Sequence, residues 1–342
     1  MAASLAAAAL PAAAAPRRKK SMHSSPALIK PPRLQAGDTV GLIAPAGHTD
    51  APSIEKAVRN IEALGFKVKL GRNLEAVFGN YAGVWQQRLD DFHGMFADPE
   101  VKAIWAIRGG SGAMQLLPHL DYGLIRKNPK ILVGYSDITA LHLAIHRHVG
   151  LVTFHGPVAV STPSDYSMTH LFNVLMRPEE GYVIPMALEN SRKAEESPEY
   201  AMRTVVPGVA TGRLMGGNLC LVSALAGTPY AADYRDCILF LEEVNEAPYR
   251  VDRMMMQLDM NRPFSQAAAV MLGIFEKCGP AEGDISLTLD ETTDQHLRPL
   301  AIPAVTGYSF GHIRNQFTLP MGIRATLDTE RQTLTLLETA VS

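Results

Sequence analysis

Ser136, His312 and the adjacent pair Glu242 and Glu243 are the residues of this 342-residue chain whose types and settings point to chemistry. Ser136 lies in "ILVGYSDITALHLA", where an apolar run turns at once into an amphipathic pattern. A serine at the apex of a strand-turn-helix junction is lifted clear of the sheet, with a backbone N–H and a helix N-terminus behind it. Such a hydroxyl can attack a carbonyl while N–H groups hold the developing oxyanion. The segment reads GYSDI and not G-x-S-x-G, because Ile138 replaces the second glycine, so the α/β-hydrolase pattern is not met. Taken alone, the same residues also suit helix capping by Ser136 or Asp137.

An oxyanion site needs a second donor. "AIRGGSGAM" supplies a glycine-rich turn after the preceding apolar run. In a parallel sheet the carboxyl ends of neighbouring strands converge on one crevice, which would let Gly109 and Gly110 face Ser136. Phosphate binding is the rival use of such a loop, but the Walker lysine is absent. The serine also needs a base. His312 follows a glycine in "GYSFGHIRNQFTLPMG", and "ILFLEEVNEAPYR" ends an apolar run on Glu242 and Glu243. Either carboxylate could orient an imidazole and stabilise its charged form. Acidic residues at the end of a buried strand are costly unless paired or placed at a cleft.

The elements that must position these groups are legible from residue 38 onward. "TVGLIAPAG", "KVKLG", "KAIWAIRGG", "KILVGYS" and "LVTFHGP" read as strands. "PSIEKAVRNIEALG", "WQQRLDDFHGMFADPEV", "GAMQLLPHL" and "DITALHLAIHRHVG" read as helices between them. This alternation predicts a mostly parallel sheet covered on both faces. Residues 188–208 are polar and aperiodic and are expected to link two domains. Beyond them, strand-like "VATGRLMGG", "CILFLEEV", "AAVMLGIF" and "RQTLTLLE" mix with helical "NLCLVSALAG" and "YRVDRMMMQLDM", which suits a smaller mixed α/β or barrel-like domain.

Composition narrows the rest. The chain is 47% hydrophobic and 19% charged with a formal net charge of -2, so nothing favours nucleic acid or an anionic membrane as a partner. Cys220, Cys237 and Cys278 form no CxxC pair and read as buried free thiols. His142 and His146 are four apart on one helix and His148 follows, but the HExxH arrangement is absent and no nearby carboxylate completes a site, so they read as a solvated or interface face. The opening "MAASLAAAALPAAAAP" reads as a disordered tail or as the remnant of an export signal lacking its basic start.

Together, "GLIAPAG", "FADPEVKAIWAIRGGSGAMQLLPHLDY", "ILVGYSDITALHLA", "TFHGP", "GRLMGGNLCLVSALAGTPY", "ILFLEEVNEAPYRVDRMMMQL" and "GYSFGH" resemble the LD-carboxypeptidase family. Its members are serine peptidases with a Ser-Glu-His triad in that chain order. The resemblance implies an α/β fold: a Rossmann-like N-terminal domain with a nucleophile elbow, and a smaller mixed α/β, barrel-like C-terminal domain. The expected division is a tail over residues 1–32, domains over 33–187 and 209–342, and a linker over 188–208.

By the same resemblance Ser136 is the nucleophile, His312 the general base and acid, and Glu242 its orienting acid, with Glu243 as fallback. The N–H groups of Gly110 and Asp137 form the oxyanion hole. Ser111 stands where the family's "RGGYG" form carries an aromatic. The implied reaction is hydrolysis of the L,D-peptide bond of murein tetrapeptides, releasing terminal D-alanine. It requires no metal and no cofactor. Arg108, Asn218 and Arg250 are candidates for holding the substrate. A homodimer and a cytoplasmic location are implied, with a periplasmic one if the alanine-rich start belongs to an export signal. The alternatives are a microcin-immunity-like hydrolase of peptidyl or aminoacyl nucleotides, and a non-catalytic binder of murein peptides.

Overall fold

Apolar runs that are buried on both faces form the centre of each half. In the computed structural model, which describes residues 26–162, 164–261 and 263–342, the first half alternates strand and helix. β1 (Thr39–Ile43) leads to α1 (Ala51–Ala63), β2 (Lys67–Leu70), α2 (Trp85–Ala97), β3 (Val101–Ala106), α3 (Tyr122–Lys127), β4 (Ile131–Gly134), α4 (Thr139–Val149) and β5 (Phe154–His155). The helix starts are set by local chemistry. Asp50 accepts a hydrogen bond from Ser53 N at 2.9 Å to begin α1, and Asp121 accepts from Leu124 N at 2.9 Å to begin α3.

These strands order as β5-β4-β3-β1-β2, all parallel. The order reverses between β1 and β3, and such a switch point opens a crevice at the carboxyl ends of the strands. The loops after β1 and β3 meet there, where Gly47 N donates to Gly109 O at 3.1 Å.

After α5 (Asp165–Leu175) come β6 (Tyr182–Ile184), α6 (Leu188–Lys193) and β7 (Arg203–Val206). The stretch 188–208, expected as a linker, thus contains α6, a 3-10 turn and β7. Its polar composition reflects edge and surface positions, which carry little hydrophobic period. β8 (Val209–Asn218), α7 (Leu219–Leu225), β9 (Cys237–Glu242), α8 (Pro248–Met260), α9 (Pro263–Gln266), β10 (Ala269–Ile274), α10 (Leu289–Leu297) and β11 (Ala304–Gly311) follow. The chain ends on β12 (Leu319–Pro320), β13 (Arg324–Asp328) and β14 (Thr333–Leu336).

The second sheet runs β6-β14-β13-β8-β9-β10-β11-β7. Its central strands β8 to β11 are parallel and its flanks antiparallel, so it is mixed, with β6 and β7 at its edges. The two sheets exchange strands across the halves. β6 precedes residue 187 yet pairs with β14, and β12 returns to extend the first sheet on β5.

Successive residues of the central strands feed two cores. Ala103, Trp105, Ile131 and Val133 share one with Ile238, Phe240 and Met271. Ile104, Leu132, Leu239, Leu241 and Val270 belong to the other. Each core therefore runs through both halves, as the two-residue period of doubly covered strands requires. Two cysteines are buried as expected, but Cys220 is exposed. The alanine-rich start lies outside the described residues. Among the described residues no helix is long and apolar enough to cross a membrane.

Candidate active site

Ser136 stands directly after β4 with φ of 64°, the left-handed region that non-glycine residues rarely enter. The strand behind it is fully buried, and a 3-10 turn (Ser136–Ile138) carries the chain into α4. His142 on α4 pins the elbow from below, its Nε2 lying 2.9 Å from Gly134 O. Neither Ser136 nor Asp137 caps α4, whose first turn has no side-chain cap. Asp137 instead accepts from Ala113 N at 2.7 Å and so ties the elbow to the glycine-rich loop. Burial pushes the Asp137 carboxyl up to about 6, against the opposing effects of that N–H and of Arg88.

The loop and the elbow are in contact. A Cβ added at Gly109 would stand 2.8 Å from Ser136 Cβ, 3.0 Å from its Oγ and 3.4 Å from Asp137 N. Gly109 thus leaves open the space in front of the hydroxyl. Gly110, the expected donor, has φ of 116° and packs on Gly47, and its N–H has no partner among the described residues.

The second half brings its parallel strand ends to the same place. Glu242 closes β9 and His312 follows β11, and His312 Nδ1 lies 2.7 Å from Glu242 Oε2. Gly311, at φ of 124°, permits this approach, since a Cβ there would meet Glu242 Cβ at 3.2 Å and Ile274 O at 2.8 Å. Glu242 is completely buried. Burial alone would raise its pKa, but the adjacent His312 outweighs that and holds it below the ordinary carboxylate value. Burial likewise works to lower His312, and the Glu242 charge and hydrogen bond more than offset it, so its pKa is raised. Tyr135 joins the two halves, with its ring 4.7 Å from that of His312 and edge-on to it. Beside them is a cavity of about 350 Å³ walled by Trp105, Ile61, Ser161 and Gln316.

Glu243 faces elsewhere. It accepts from Asn218 Nδ2 at 2.8 Å, Cys220 N at 2.8 Å and Val244 N at 3.0 Å. Burial, with repulsion from Glu242, pushes it up to about 7. Asn218 is buried, and its side chain also accepts from Leu221 N, so its polar atoms are engaged in holding Glu243 and starting α7. Backbone Asn218 N donates to Thr139 Oγ1 at 3.0 Å, which locks β8 onto the serine helix. Arg108 is exposed and donates to His48 O at 3.2 Å. Arg250 is exposed on α8, 3.5 Å from Glu246.

The helix histidines differ from expectation. His142 is fully buried, and burial also holds His146 down to about 4, whereas His148 is exposed and packs against Tyr122 and Tyr230. Of the expected solvated or interface face, the solvated part describes His148, while His146 is half-buried and His142 buried. Two residues went unsingled by sequence reasoning, Tyr135 and His155. His155 is fully buried near Tyr135, Phe240 and Phe310, and burial holds it down to about 4, hence neutral. The quoted "TFHGP" was the signal available for it.

Residues 40–156 match the LD-carboxypeptidase N-terminal domain and residues 211–327 the LD-carboxypeptidase C-terminal domain. The probable murein peptide carboxypeptidase of Bacillus subtilis (strain 168) is 39% identical over 320 residues, covering 92% of this chain and 95% of that protein. The crystal structure of muramoyltetrapeptide carboxypeptidase from Oxalobacter formigenes superposes with a TM-score of 0.74 at 28% identity, covering 87% of this chain and 97% of that one. Microcin C7 self-immunity protein MccF in complex with glutamyl sulfamoyl guanosine gives a TM-score of 0.82 at 25% identity, covering 92% and 99%. Matched in both halves and over nearly its whole described length, the chain belongs to the LD-carboxypeptidase family of hydrolases.

Proposed function

We propose that this protein is a serine-type LD-carboxypeptidase that hydrolyses the L,D-peptide bond of murein tetrapeptides and releases the terminal D-alanine. The observation that carries this reading is the 2.7 Å pairing of His312 with buried Glu242, beside the Tyr135–Ser136 elbow. The names of the relatives from Bacillus subtilis and Oxalobacter formigenes support the substrate class.

In this reading Glu242 accepts Nδ1–H of His312 and leaves Nε2 as the base. Ser136 Oγ attacks the carbonyl carbon as its proton passes to His312. The N–H groups of Gly110 and Asp137 hold the oxyanion. The C–N bond then breaks, and His312 returns the proton to the departing D-alanine amine. A water molecule, activated by the same histidine, attacks the acyl-enzyme ester and frees the shortened peptide. The substrate ends in a carboxylate, for which exposed Arg108 and Arg250 are the candidate cations. Asn218 contributes indirectly, by fixing Glu243 and the start of α7.

The TM-score of 0.82 to MccF favours a second reading, cleavage of aminoacyl or peptidyl nucleotides. A nucleobase would need an aromatic platform. Trp85 is stacked on His119, and Trp105, though it walls the cavity beside the site, is only 2% exposed.

Mass spectrometry separates the readings. A tetrapeptide ending in meso-diaminopimelyl-D-alanine and an aminoacyl nucleotide are each incubated in EDTA with the wild type and with Ser136→Ala. The proposed function requires loss of one alanine from the tetrapeptide with the wild type, and at least about 1000-fold slower loss with the variant. Cleavage of the nucleotide alone moves the protein to the second reading. Substantial activity in the variant rejects Ser136 as nucleophile.

A further inference from the structure

Arg88 lies on α2 and is only 2% exposed. Its Nη1 donates to Gly112 O at 2.9 Å and to Pro45 O at 3.1 Å, and its Nη2 to Gln115 Oε1 at 2.5 Å. Its guanidinium also lies over the Tyr81 ring, 5.2 Å from the centroid. These acceptors are neutral. A buried guanidinium held by carbonyl oxygens is an expensive feature to retain for packing alone.

The atoms it grips explain the placement. Pro45 follows β1 and Gly112 ends the loop after β3, so one nitrogen fastens together the two loops of the switch point. The loop from Gly109 to Gly112 has almost no side chains with which to hold itself. Gly110 and Gly112 take φ of 116° and 108°, conformations that a free glycine chain leaves readily. Asp137 secures the loop at Ala113 N, and Gly47 N secures it at Gly109 O. Asn80 Nδ2 holds Ser111 Oγ at 2.6 Å, and Gly112 O accepts both from Gln115 N within the chain and from Arg88, which anchors it to α2.

We propose that Arg88 is a positioning residue for the oxyanion side of the site: its fork fixes residues 109–112 against the end of β1, so that the N–H groups facing Ser136 are in place before substrate arrives. This rests on Ser136 being the nucleophile. Lysine cannot replace it, because a single ammonium lacks the planar fork that serves three acceptors at once.

The test uses Arg88→Lys and Arg88→Met in the full chain with a fluorophosphonate, which phosphonylates an activated serine and requires the oxyanion donors to do so. Both the number of sites labelled per chain and the rate of labelling are measured, together with kcat and KM on the tetrapeptide. The expected result is full labelling at a rate about 10- to 100-fold slower, with kcat lowered by a similar factor and KM changed less than about threefold, as follows from misplacing an oxyanion donor. Rates and kcat within about twofold of wild type overturn the proposal. A smaller labelled fraction that reacts at the wild-type rate also overturns it, because Arg88 would then serve folding alone. If the wild type is not labelled at Ser136, with Ser136→Ala as control, the nucleophile reading fails first and the role of Arg88 falls with it.

Discussion

His312 Nδ1 is 2.7 Å from Glu242 Oε2, while the next residue, Glu243, points away to Asn218 and Cys220. Two adjacent carboxylates are both buried, and only one of them reaches the imidazole.

Glu242→Gln should therefore lower kcat by about 10³- to 10⁴-fold, the scale seen when a triad acid is neutralised, whereas Glu243→Gln should stay within about tenfold of wild type. The pH profile gives a second readout. In the proposed mechanism His312 works as a base only when neutral, and Glu242 raises its pKa. Wild-type kcat/KM should fall as pH drops through a value above the ordinary histidine pKa of about 6.5. With Glu242 neutralised, burial acts on His312 with less opposition, so the acid limb should move to lower pH. A limb that stays in place or moves up would show that Glu242 does not set it.

Glu243 makes a separate, thermodynamic prediction. Its pKa rises from 4.5 to about 7 on folding. Between those values the folded state keeps a proton that the unfolded chain has released, so stability falls as pH rises across that window. The fall amounts to at most about 3 kcal/mol. Urea midpoints at pH 5 and pH 7.5 should differ more for wild type than for Glu243→Gln. Equal pH slopes in the two proteins would refute the assignment.

Gly109→Ala should reduce kcat by at least about 100-fold, because the new methyl would occupy the space in front of Ser136 Oγ, where the reacting carbon must sit. It should also cost about 1–3 kcal/mol through overpacking against the elbow. Gly94→Ala is the matched control. It lies within α2 with open space around the added carbon, so kcat should hold and stability should rise by about 0.5–1 kcal/mol. Kinetics and thermal melts on both variants decide the point. Unchanged turnover in Gly109→Ala would remove this loop from the site.

The parts of this arrangement legible in the sequence are those written in hydrophobic period. β1, β4, β9 and β10 are nearly continuous apolar runs and β3 is one broken only by Lys102, and the serine turn shows because it ends one of them. The phase of a strand is harder to read. Glu242 and Glu243 occupy successive positions and so face opposite ways, and only the assembled sheet shows which way His312 lies. β12, with two residues, is too short to leave a period, and β6 and β7 at three and four residues are edge strands of ordinary composition. Buried polar residues such as Arg88 and His142 are hard to read for the opposite reason. Charge and polarity suggest solvent, but burial depends on which neighbours offer carbonyl oxygens, and those come from residues 45, 112 and 134.

The pairing of β12 with β5 bears on how substrate gets in. Leu319 and Pro320, which follow the histidine, are stitched to His155 and Phe154, which follow the serine. Cleavage enzymes built from two lobes often open and shut like a clam, and turnover then waits on that hinge. Here a hinge would have to rip a strand from a sheet and tear two cores that run through both lobes. Ser136 and His312 are therefore on a single rigid frame.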